Sequence, residues 1–183
     1  LYSYFDTKAI YLPNIHSYQF DDNKNNTQYV LMTERQFYYN LFSGDGNMVA
    51  DVVLLSGGFE EPLFLCSGYK VIKGYLGVAR RDLKLHGNND KKKFHALRSM
   101  YMAEKLMEKE LPTVGGIQLL YKNYAGCYLP STETLNKKQN NLRGRLNDML
   151  NKGEIDMYPH FREGQELIQI VVDTNNIKEF KYD

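Results

Sequence analysis

A chain of 183 residues, 43% hydrophobic and 25% charged, can bury a core without disulfide or metal staples, which excludes a disordered tail or a stapled miniprotein. Lys and Arg number 23 against 22 Asp and Glu, a formal charge of +1, so no global field marks the chain for nucleic acid and any basic site must be local. Cys66 and Cys127 sit outside any metal-ligand or redox spacing and no apolar run approaches a membrane span, so the expectation is a cytoplasmic protein with no membrane partner. The chain opens at Leu1 in a segment that reads as domain interior, and residues are expected to precede it.

Lys8 to Leu12, closed by Pro13, reads as a buried strand, and Tyr29 to Met32 as a second, with the turn-rich string Asp21 to Asn26 as the loop between them. Thr33 then caps a first helix through Phe37, Leu41 and Phe42 that stops at Gly44. Asn47 caps another through Val49, Val52, Val53 and Leu54, ended by Gly57-Gly58. Tyr69 to Leu85 and Lys91 to Glu110 carry apolar residues at helical spacing on either side of a turn at Gly87 to Asp90. Ile117 to Tyr121 reads equally as helix or strand. Thr134 to Lys152 is helical up to Gly153, and Glu166 to Val172 is a terminal β-rich run.

Three strings resemble the polymerase-beta-type nucleotidyltransferase superfamily, in particular the predicted nucleotidyltransferases of bacteria and their phages. Phe5-Asp6-Thr7-Lys8-Ala9-Ile10-Tyr11-Leu12-Pro13 is similar to the downstream half of the acidic first motif. Gly74 to Arg80 followed by Lys93-Phe94-His95-Ala96-Leu97-Arg98 resembles the family's hallmark helix, and Leu142 to Glu154 its late helix. The resemblance covers roughly residues 6 to 155. It implies an α/β (α+β) fold, with a small mixed sheet of the nucleotidyltransferase type followed by a mostly helical C-terminal part. On this reading residues 1–68 form a partial nucleotidyltransferase-like core and residues 69–183 a helical part with a terminal strand, together one unit.

The implied activity is transfer of a nucleotidyl group from a nucleoside triphosphate such as ATP to an acceptor, RNA or protein, with Mg²⁺ as cofactor. Asp6 is then the catalytic carboxylate and metal ligand, and Arg80, Lys93, His95 and Arg98 are the nucleotide contacts. A phage-encoded copy would work in the host cytoplasm. The sequence departs from the pattern at two of three expected carboxylates, where Tyr4 and Gln28 stand, and one carboxylate leaves most of the charge of a two-metal site uncompensated. Asp21 and Asp22 are the available substitutes for a rearranged site. The alternative is a catalytically degenerate domain kept for binding or assembly, with the Tyr-rich first forty residues as its contact surface.

The cationic residues also have plainer roles. His95 reads equally as a satisfied, half-buried histidine, and Arg98 as the partner of a carboxylate such as Glu104 or Asp90. Lys91-Lys92-Lys93 beside Arg80-Arg81 and Lys84 forms a local basic concentration suited to a triphosphate or an RNA backbone, or a solvated helix start.

Overall fold

The computed structural model describes residues 7–11, 18–22, 27–32, 40–41, 44, 47–55, 65, 68–124 and 129–157. Three short strands come first: β1 (Thr7–Tyr11), β2 (Tyr18–Asp22) and β3 (Thr27–Met32). β3 is central, parallel to β1 with Thr7 opposite Gln28 and antiparallel to β2 with Asp21 opposite Gln28. Asp21 and Asp22, expected in a loop, thus end a strand. Among the described residues five bounded helices follow: α1 (Asn47–Leu55), α2 (Tyr69–His86), α3 (Asp90–Met107), α4 (Val114–Tyr124) and α5 (Thr132–Asn151). The ambiguous Ile117 to Tyr121 is helical, inside α4. The helix expected after Thr33 lies mostly outside the described residues, and the Glu166 to Val172 run lies wholly outside them.

The expected architecture is corrected by where the packing lies. The well-packed part of the chain is 79% helical and holds no strand. Among the residues whose side chains are described, every member of the core cluster falls between Leu41 and Ile155. A mixed sheet of nucleotidyltransferase type therefore does not organise the packed body. The physical reason is that the apolar stripes of α1, α2, α3 and α5 close on one another. Val53, Ile72, Tyr75, Leu76, Met100, Met102, Leu135 and Leu146 are almost fully buried, and each large side chain removed from water contributes on the order of 2 kcal/mol before entropy is charged against it.

Local chemistry sets the helix ends. Asn89 opens α3 by accepting the Lys92 N–H at 3.2 Å, and Ser131 opens α5 by accepting that of Thr134 at 3.1 Å. Gly68 precedes α2 and has no side chain to offer, and the Tyr69 N–H instead donates to the Asp156 carbonyl at 2.8 Å. α5 ends in a left-handed residue, Gly153, at φ 70°. Lys109 takes the equivalent conformation after α3, at φ 57°. α2 and α3, joined only by Gly87 to Asn89, form a helical hairpin against which α5 packs. Among the described residues no helix is long and apolar enough to cross a membrane.

Candidate functional site

Two clusters of charged side chains in this helical body are built against α3. Arg98 donates from Nη2 to Oδ2 of Asp51 on α1 at 2.6 Å, and both side chains are about four-fifths buried. The other Asp51 oxygen accepts from the hydroxyl of Tyr75 on α2 at 2.7 Å. One carboxylate thus ties three helices together with charge-assisted hydrogen bonds. Tyr75 is completely buried; desolvation, and then the negative charge of Asp51, holds its phenol well above the usual tyrosine range. The Arg98 Nε is buried and has no hydrogen-bond partner among the described residues.

One helical turn toward the start of α3, a second carboxylate gathers cations. Asp82 on α2 is 2% exposed. Arg81 Nη2 lies 3.4 Å from its Oδ1, Lys92 Nζ 3.9 Å from the same oxygen, and His95 Nδ1 4.0 Å from Oδ2. A carboxylate so deeply placed needs such partners, because an uncompensated charge in that position is costly. Burial, followed by the positive charge of Lys92, pushes the His95 imidazole below its ordinary pKa; Asp82 pulls the other way, and Lys91 and Arg98 add to the depression.

The expected nucleotide contacts therefore do not converge on a common empty space. Arg98 faces Asp51, His95 faces Asp82, and Lys93 pairs with Asp90 of its own helix at 3.3 Å, while Arg80 is exposed on α2. Asp6 lies outside the described residues. The partners proposed for Arg98 are engaged elsewhere, Asp90 by Lys93 and Glu104 by Lys138 at 2.9 Å. Among the described residues no group of three or more His, Cys, Asp and Glu side chains is placed to hold a metal ion.

Three residues escaped sequence reasoning. Asp82 falls on the same 3.6-residue repeat as Ile72, Tyr75, Leu76, Ala79 and Leu83, and an acid on an apolar stripe is a legible anomaly. Asp51, the one charged residue of an otherwise apolar helix, is another. Tyr75 carried no such signal. A groove of about 840 Å³ lies at the opposite end of α3, where Met107 and Met149 floor a rim of Glu108, Asp148 and Glu154 against Lys109, Arg145 and Lys152. Its charges balance, and it is remote from Arg98 and His95. No family model matches the chain, and comparisons with curated proteins and with solved structures return no match.

Proposed function

We propose that the chain is a nucleotidyltransferase-like protein whose helical body serves binding and assembly rather than nucleotidyl transfer. The observation that carries this reading is the engagement of Arg98. Its guanidinium, the strongest candidate phosphate contact, is committed to Asp51, which also holds Tyr75. A triphosphate would have to displace a carboxylate that is about four-fifths buried and held at 2.6 Å to take the Nη2 donor from it. The test is Mg²⁺-dependent binding of labelled nucleoside triphosphates. A binding module shows none, with no change on Arg98→Ala beyond lost stability; saturable binding abolished by Arg98→Ala reverses the reading.

A second reading, retained transferase activity, is favoured by the register of the strands. Asp22 pairs with Thr27 and Asp21 with Gln28, while Thr7, the residue after Asp6, lies on the other side of Gln28. The acidic end of β2 and the start of β1 thus flank the start of β3, the position where the resemblance expects a carboxylate. Triphosphate binding that is lost on Asp22→Asn and untouched by Arg98→Ala would establish that alternative.

A further inference from the structure

The tip of the α2–α3 hairpin carries a local excess of positive charge. Residues 80–93 hold six cations, Arg80, Arg81, Lys84, Lys91, Lys92 and Lys93, against Asp82 and Asp90, whereas the whole chain carries +1. The remainder of the molecule is therefore slightly acidic, and the basic surplus is local. The short connection Gly87 to Asn89 brings the end of α2 and the start of α3 to the same place. Arg80, Arg81, Lys84 and Lys91 are exposed there, while Lys92 and Lys93 are half-buried, close to Asp82 and Asp90.

Two features show that this surplus is not merely solvating. Three consecutive lysines occupy the first turn of α3 beside Asp90, where the partial positive charge of the helix terminus opposes them and favours an anionic partner. Beneath them the buried Asp82 holds Arg81 and Lys92 from two different helices, fixing the spacing of the cations across the hairpin. The depressed imidazole of His95 is consistent with the same positive field.

The composition of the tip selects among polyanions. Four of its six cations are lysines and residues 80–93 contain no Phe, Tyr or Trp, unlike protein interfaces, which are depleted in Lys and enriched in aromatic residues. Leu85 is the single large apolar side chain exposed there, too little for an amphipathic helix to sink into a lipid surface. Without an aromatic platform, bases of a single strand have nothing to stack on. A row of phosphates at fixed spacing is what remains. Resting on the reading of the body as a binding module, we infer that the hairpin tip formed by Arg80, Arg81, Lys84 and Lys91 docks on the phosphate backbone of a nucleic-acid duplex without reading its sequence.

The experiment is fluorescence anisotropy of the full chain with 20-base-pair RNA and DNA duplexes of unrelated sequences between 50 and 200 mM salt. About four phosphate contacts give a slope of log affinity against log salt of roughly −3.6, and the two sequences bind alike. Arg80→Glu with Lys84→Glu lowers affinity roughly tenfold or more and flattens the slope, since both residues are exposed and the fold is kept. Lys122→Glu with Lys137→Glu makes the same change in net charge on exposed positions outside the tip and leaves binding near the parent value. Equal losses in the two double variants, absence of duplex binding at 50 mM salt, or binding to phosphatidylserine vesicles in preference to duplex would each overturn the inference. The RNA and DNA arms identify which duplex is preferred. Triphosphate binding is scored separately, so an active nucleotide site would defeat the binding-module reading without altering the outcome at the tip.

Discussion

Arg98 and Asp51, separated by 47 positions in the chain, meet at 2.6 Å with about one fifth of each side chain exposed. Removing either partner leaves the other charge largely buried without its ionic partner. Arg98→Ala is expected to lower unfolding stability by about 2–4 kcal/mol, less than for a fully buried pair because water still reaches both groups. Urea denaturation of Arg98→Ala, Asp51→Ala and the double variant checks this. The double variant should be less unstable than the sum of the single changes, and strict additivity would mean that the pair contributes nothing. Arg98→Lys should not rescue, because an ammonium lacks the planar fork that reaches Asp51.

Tyr75 gives the same cluster an alkaline signature. Its phenol titrates well above the ordinary value of 10.0, first because it is buried and then because Asp51 faces it. In the unfolded chain the phenol loses its proton near pH 10, while in the folded chain it keeps it. The folded state then binds more protons, so stability falls as pH rises above about 10. Tyr75→Phe should cost about 1.5 kcal/mol at neutral pH through the lost bond to a charged acceptor, and should flatten the alkaline decline. Denaturation curves at pH 8 and pH 10.5 compare the two proteins; parallel declines would remove Tyr75 from the account.

His95 provides the acid counterpart, with the opposite sign. Its folded-state pKa lies below the ordinary 6.5 because of burial and then Lys92, with Lys91 and Arg98 adding and Asp82 opposing. As pH falls below 6.5 the unfolded chain takes up a proton that the folded chain refuses, so stability drops on acidification. NMR titration of the imidazole should show a depressed midpoint that moves upward in Lys92→Gln. An unchanged midpoint would remove Lys92 from the causes of the depression.

Two left-handed positions predict opposite responses. Gly44 has φ 73°, and a methyl group there would run into the carbonyl of Lys70, a backbone atom that cannot swing aside. Gly44→Ala should therefore destabilise by about 2 kcal/mol or more. Lys109 holds φ 57° without glycine's freedom, and Lys109→Gly should stabilise by roughly 0.5–1 kcal/mol. Thermal unfolding of both variants distinguishes strain from packing.

The helices were legible where an apolar repeat coincided with a stop signal. Tyr69 to Leu85 and Thr134 to Lys152 differ from α2 and α5 by only one or two residues at their ends, the range over which caps shift a boundary. α4 was ambiguous because Val114 to Tyr124 buries only Ile117 and so lacks a stripe that distinguishes helix from strand. The architecture departs from the expectation because the long apolar repeats of α2, α3 and α5 supply the core among the residues whose side chains are described. At the candidate site, Lys93, His95 and Arg98 were recognised as chemically capable, but the carboxylates that engage them were not all foreseeable. Asp51 and Asp82 reach α3 from other helices, and spacing along one helix cannot report a partner brought in by tertiary packing.

The bond from the Tyr69 N–H to the Asp156 carbonyl has a consequence for how the protein is made. The first turn of α2 is completed by a residue that the ribosome adds only after α3, α4 and α5 have been synthesised. While it is being translated the hairpin carries an open end, and emergence of Asp156 latches the body shut. Gly68 and Asp156, far apart in the chain, are thereby held side by side, like two points on a cord drawn through one eyelet.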